Sequence, residues 1–311
     1  MIVPDALAPL HTFFMVVSFV LGCLVGSFCN VCASRWPAGE SVVKPRSRCP
    51  RCKNPIAWYD NIPLVSWLVL GAKCRHCSLP ISWQYPLVEA LTGVLFLCVY
   101  LRFGISLAMP VYMVFCAALV IVTFQDLADW TIPNEITLPG IPISLGISLV
   151  GMIYPEGLLR VTDPFNALTG ILLGGGIIYA MDRITVLLLK KPGMGMGDVK
   201  LLAMLGGFLG WIGVIGILFI SSIVGSIIGV ALIMIQKKSA AGTEDEQSDN
   251  SNRTSKKAID SDEEMLLEGH YIPFGPYLAL GALIFLFFGP EIIEAYFMVP
   301  GIASHTPILL P

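Results

Sequence analysis

With 311 residues, 55% hydrophobic and 13% charged, and a mean hydropathy of +0.77, the chain is too apolar for an ordinary soluble domain. Its solvent is expected to be a bilayer. The formal charge of -3 suggests no nucleic-acid partner, and in a membrane protein the distribution of Lys and Arg between loops matters more than the total.

Apolar runs fall at 12–33, 86–104, 108–125, 136–154, 166–189, 199–210, 211–235 and 272–298. They predict an all-α polytopic membrane protein with about eight transmembrane helices. The first run lacks a basic leader region and continues into Gly22, Gly26 and Ser27, so it is read as an uncleaved span. The sixth is short for a bilayer core of ~30 Å and is expected to tilt, or to dip and return.

Between the first two runs lie Arg35, Lys44, Arg46, Arg48, Arg51, Lys53, Lys73 and Arg75, which predict that this segment is cytoplasmic. Alternation then puts the loops around 126–135 and 190–198 on that same side. The segment also carries two C-x2-C pairs, Cys49/Cys52 and Cys74/Cys77. They continue alike as Pro55-Ile56-Ala57-Trp58 and Pro80-Ile81-Ser82-Trp83. Such a duplicated knuckle suits tetrahedral zinc held by four thiolates, giving a small zinc-ribbon-like domain. Disulfides are disfavoured in a reducing cytoplasm. Cys23, Cys29, Cys32, Cys98 and Cys116 sit in apolar runs and read as packing residues. The expected organisation is a first span at 1–33, the zinc-binding domain at 34–85 and a membrane core at 86–235. A disordered acidic linker at 236–269 and a last span with the C-terminus at 270–311 complete it.

Two acids stand out. Asp126 follows the apolar Val120–Phe124 directly, so it should lie deeper than Asp129, whose position suits a solvated boundary residue. Asp198 ends the glycine-spaced stretch Gly193-Met194-Gly195-Met196-Gly197-Asp198. A phosphate loop is disfavoured there, because the carboxylate would repel the anion that helix-start amides attract. An N-cap at a flexible hinge remains an alternative reading for Asp198. Two membrane-boundary carboxylates on one side are, however, the parts of an aspartic dyad. The other hydrolytic chemistries lack their motifs, with no G-x-S-x-G and no H-E-x-x-H among the four histidines. Glu89 opens the second span and reads equally as a substrate-facing acid or a boundary residue. Asp182 with Arg183 reads as a local ion pair.

Taken together, these stretches resemble a type IV prepilin peptidase, the bacterial membrane enzyme of the GxGD aspartic protease class. The residues that carry the resemblance are Gly22–Val31, Trp58–Pro63, Tyr85–Glu89, Asp126 through Pro133-Asn134, Gly195–Leu202 and Ile272–Pro276. The resemblance implies Asp126 and Asp198 as the catalytic pair, with Gly195, Gly197, Lys200 and Glu89 near the substrate. It also implies cleavage of leaders from type IV prepilins or type II secretion pseudopilins at the cytoplasmic face of the bacterial inner membrane. A second implied activity is N-methylation of the new amino terminus with S-adenosylmethionine. No glycine-rich loop in 34–85 supports that activity, which therefore rests on the resemblance. Cys29, Cys32, Gln125 and the acidic linker depart from the pattern. The alternative from another class is a non-enzymatic membrane scaffold or transporter that uses its zinc knuckles to hold a partner.

Overall fold

A computed structural model describes residues 8–154, 159–161, 163–190, 195–244 and 273–297. Its helices are α1 (Ala8–Arg35), the short α2 (Val65–Val69), α3 (Gln84–Phe103), α4 (Ala108–Asp129), α5 (Asn134–Ile153), α6 (Pro164–Leu189), α7 (Met196–Glu244) and α8 (Gly275–Phe297). Among the described residues, seven of these are long and apolar enough to cross a membrane. The difference from about eight expected spans lies at one residue. Gly210 takes φ 74 and ψ 177 inside α7, a backbone region that only glycine enters without strain. It divides α7 into two legs that match the expected sixth and seventh runs. The first leg, 196–209, is about 21 Å long at 1.5 Å per residue, which fits the short run read from sequence.

Small residues let the helices approach. Gly22 and Gly26 of α1 lie against the backbone of α3 at Gly93 and Glu89, where a Cβ would collide. Gly170 and Gly174 of α6 meet Gly206 and Leu202 of α7 in the same way. Close backbone approach of this kind drives helix association in lipid, where apolar burial supplies no preference for protein over lipid tails. The core between these contacts is built from Val88, Tyr112, Phe115, Leu119, Leu205 and Leu278.

Helix ends follow local chemistry. Asp163 accepts hydrogen bonds from the N–H groups of Phe165 and Asn166, and Pro164 occupies the first turn of α6, a favoured start. Trp130 closes α4 in the left-handed conformation, donating its N–H to the Asp126 carbonyl at 3.0 Å. At the far end of the bundle, Arg160 donates from Nε and Nη2 to the Leu286 carbonyl at 2.9 and 2.6 Å. That carbonyl has no helical partner, because residue 290 of α8 is proline.

The loop between α1 and α3 holds the cysteine pairs. Each knuckle closes identically. Cys49 N–H bonds Asn54 O and Lys53 N–H bonds Cys49 O, while Cys74 N–H bonds Leu79 O and Ser78 N–H bonds Cys74 O. Lys53 and Ser78 both take positive φ. The backbone thus repeats as the sequence does. No strand forms among the described residues; single bridges, Arg48 with Pro55 and Lys73 with Pro80, close the two turns. One expected boundary also differs. Helix α7 runs on to Glu244, past the start of the expected 236–269 linker, through a Lys-Ser-Ala-Ala stretch of fair helix propensity. The remainder of that linker, Gly193-Met194 and Ile272 lie outside the described residues.

Candidate active site

The last buried turn of α4 presents Gln125 and Asp126 inward, while Asp129, one turn on, is exposed. Gln125 donates weakly to Thr131 Oγ1 at 3.4 Å. Asp126 Oδ2 accepts the Gly275 backbone N–H at 3.0 Å. This donor comes from the first residue of α8, where helix amides have no intrahelical partner and favour a negative charge. Glycine lets this N–H approach the carboxylate, since a Cβ on Gly275 would stand 2.5 Å from Asp126 Oδ2 and force it to shift.

Asp198 is the third residue of α7 rather than its cap, and its N–H bonds Gly195 O at 3.1 Å. Its side chain is half-buried near the helix N-terminus, which favours a carboxylate. Ile132 joins the two acids' surroundings. A Cβ on Gly197 would lie 3.0 Å from the Ile132 Cβ, and Ile132 Cδ1 packs towards Gly275. The structure thus brings the two acids to one end of the bundle, where α4, α7 and α8 meet.

Of the other residues singled out in the sequence, Gly195 is exposed and Gly197 half-buried beside Asp198. Lys200 Nζ donates to Asn134 Oδ1 at 2.9 Å, tying the first turn of α7 to the first turn of α5. Glu89 lies elsewhere in the assembly of contacts. It is buried in the α1–α3 interface and accepts the Leu64 N–H at 2.8 Å. Asn30 donates to the Tyr85 carbonyl at 3.1 Å, a second link from α1 to the start of α3. Asp182 and Arg183 pair at 2.7 Å, as expected. Sequence reasoning missed the role of Gly275 and of Ile132. The glycine between Phe274 and Pro276 was the available signal, but a backbone donor leaves no side-chain mark.

The four cysteine sulfurs lie within 4.8 Å of one another. Cys49 and Cys77 are separated by 3.9 Å, and Cys52 and Cys74 by 4.0 Å. Four ligands at the ~2.3 Å zinc–sulfur distance of a tetrahedral site stand ~3.8 Å apart, so the donor set and its spacing fit such an ion. Backbone N–H groups of Cys77 and His76 directed at Cys74 pull its thiol down, while the neighbouring sulfurs push the Cys77 thiol up, so in the metal-free cluster one thiolate is shared among close sulfurs. Beside this cluster, Arg75 donates to both Asp60 oxygens at 2.7 and 2.6 Å and holds that carboxyl below its usual value.

The molecule is therefore a polytopic helical membrane protein with a four-cysteine knuckle domain after its first span and a carboxylate pair at one end of the bundle. Residues 20–103 match the Bacterial Peptidase A24 N-terminal domain, and residues 113–230 match the Type IV leader peptidase family. Among similar proteins, the prepilin leader peptidase/N-methyltransferase of Myxococcus xanthus (strain DK1622) is 35% identical, covering 92% of this chain and 93% of its own. The proteins of that description from Pseudomonas aeruginosa and Neisseria gonorrhoeae are 32% and 34% identical. They cover 96% and 73% of this chain, and 98% and 85% of their own. No solved structure matches. The chain belongs to the type IV leader peptidase family.

Proposed function

We propose that the chain is an inner-membrane aspartic endopeptidase that removes the leader of type IV prepilins or type II secretion pseudopilins and N-methylates the new amino terminus. Family membership over most of the chain supports the activity. The observation that carries the mechanism is that Asp126, held by Gly275, and the turn of α7 that bears Asp198 both meet Ile132.

In this mechanism the two carboxyls share one proton. The ionised member takes a proton from water, which attacks the scissile carbonyl carbon. The protonated member hydrogen-bonds the carbonyl oxygen and stabilises the charge that develops there. Collapse of the tetrahedral intermediate returns a proton to the leaving nitrogen and restores the shared-proton state. Gly275 N–H fixes one oxygen of Asp126, so the pair meets water in a constant orientation. Gly195 leaves exposed backbone without a Cβ where an extended substrate can approach, and Lys200, oriented by Asn134, flanks its path. Gly197 instead packs against Ile132, and Glu89, buried between α1 and α3, holds the Leu64 N–H away from that path.

The peptidase core is assigned to residues 86–235 together with the last span, and the zinc-binding domain to 34–85, on the cytoplasmic side with its eight Lys and Arg. Cys49, Cys52, Cys74 and Cys77 would hold zinc, which would fix the fold of the loop. S-adenosylmethionine, when bound, supplies the methyl group.

The test is Asp126→Asn and Asp198→Asn assayed separately on a prepilin in proteoliposomes, with mass spectrometry of the new amino terminus. Both variants should lose cleavage. Substantial cleavage by either overturns the dyad, and retained function in both would favour the scaffold or transporter reading. Stoichiometric metal in the purified protein, lost in Cys74→Ser, tests the zinc assignment.

A further inference from the structure

The knuckle domain carries a surface that neither peptide cleavage nor metal binding uses. Trp58 is 81% exposed, Leu68 70%, Val69 77% and Trp83 67%. These values match lipid-facing residues of the spans such as Phe13 at 59% and Leu187 at 80%. A domain standing free in water rarely gathers so many large apolar groups on its surface. Helix α2 turns Ser66 and Trp67 inward. Ser66 Oγ donates to Tyr59 O, and Trp67 Nε1 donates to Ile81 O. Val65, Leu68 and Val69 are left on the outer face.

The position of α2 against α3 is fixed by a hydrogen bond. Leu64, immediately before it, donates its N–H to Glu89, and Glu89 lies five residues along α3 from Gln84. That bond ties the start of α2 to the second turn of α3, at the knuckle-domain end of a membrane span, and so holds α2 close to the level of the bilayer surface. The loop is anchored at both ends by spans, so it cannot move far from the bilayer. Its charge suits the same location: eight Lys and Arg stand against Glu40 and Asp60. Four thiolates around a divalent ion would leave the domain cationic. Basic residues beside interfacial tryptophans are the composition that meets anionic headgroups.

We infer that the knuckle domain lies on the membrane, with α2 and the paired tryptophans Trp58 and Trp83 inserted among the headgroups of an anionic lipid surface. The leaflet thereby becomes part of the domain's folded environment, and the basic residues around the knuckles hold it there. This goes beyond the proposed peptidase activity and does not depend on it.

The test uses the full chain in nanodiscs, without substrate. Comparison of wild type with W58F/W83F isolates the emission of those two tryptophans from that of the other four. That emission should be quenched by lipids brominated just below the headgroup and shielded from aqueous iodide. Shielding should increase when phosphatidylglycerol replaces part of the phosphatidylcholine and weaken with added salt. In L68D/V69D, with metal content retained as evidence of an intact domain, iodide quenching should rise and bromolipid quenching should fall. Were that variant to lose its metal, the wild-type quenching pattern alone would still decide. Iodide access equal to that of free indole, in both lipid compositions, overturns the inference. So does shielding that appears only after an apolar substrate segment is added, since the face would then be a peptide-docking surface.

Discussion

Gly275→Ala probes the proposed site without replacing either acid. The added methyl would sit 2.5 Å from Asp126 Oδ2 and 3.1 Å from its Cγ. Ordinary contact begins at 3.4 Å, so the carboxylate or the start of α8 must retreat by about 0.9 Å. Rotation of the carboxylate away from the methyl abandons the N–H it accepts at 3.0 Å, a charged hydrogen bond worth roughly 1.5–3 kcal/mol. Retreat of α8 is opposed by Ile132, 3.4 Å from the same methyl. A displacement near 1 Å in a reacting group costs on the order of 100-fold in rate. Leader cleavage by purified G275A should therefore fall by about that factor, mainly in kcat, because the substrate's distant contacts remain. A control separates misplacement from loosened packing. Gly281, further along α8, faces the Ile217 backbone at 3.0 Å, so G281A should lower the melting temperature while leaving kcat near wild type. G275A cleaving at the wild-type rate would refute the assignment of Gly275 as the group that positions Asp126.

Arg160→Leu removes both donors to the Leu286 carbonyl that Pro290 leaves unpaired. An orphaned buried acceptor costs about 1–3 kcal/mol, so calorimetry should show a lower melting temperature, with cleavage by the folded protein unchanged. Asp60→Asn breaks the two-pronged contact with Arg75, and chelators should then strip metal from the knuckles faster. The Asp60 carboxyl is held below its usual range by the Arg75 hydrogen bonds. Its contribution is thus fully present above the unfolded value of about 3.9 and is lost as pH falls through the lower folded value. Thermal melts of wild type and D60N should accordingly differ at neutral pH and converge only in strong acid. Lys200→Met and Asn134→Ala each sever the link from α7 to α5. As the pair is exposed, stability should change by less than about 1 kcal/mol. If the link positions Asp198, kcat should fall in both, and the double variant should be no slower than the singles; additive losses would show that the two act separately.

The spans were legible because a bilayer imposes length and composition on every crossing helix. The break at Gly210 was legible as a boundary between two runs, 199–210 and 211–235, but its left-handed geometry had no signature beyond the glycine. Asp126 and Asp129 could be ranked by depth, since one abuts an apolar run and the other lies a turn beyond it. Burial follows that order. The knuckles were readable for another reason: their ligands, turns and hydrogen bonds are all local, so a duplicated sequence folds as a duplicated structure. Glu89 shows where such reading stops. Its partner is a backbone N–H 25 residues earlier, and no side-chain type at Leu64 announces that donor. Gly275, 149 residues from Asp126, was hidden in the same way.

The two acids occupy unlike surroundings, and that difference would serve the proposed shared-proton dyad. Asp126 is buried and accepts a fixed backbone donor from α8, whereas Asp198 is half-buried in the first turn of α7 and beside exposed Gly195. Two identical carboxyls would exchange the proton without preference, but unlike environments bias which member donates and which accepts. Glycine serves both halves by opposite means. At 275 the missing Cβ admits an N–H to a carboxylate, and at 195 it leaves the outer approach to Asp198 unobstructed. In the proposed mechanism a side chain at either position would fill needed space: at 275 by displacing Asp126, and at 195 by narrowing the proposed approach of the substrate backbone.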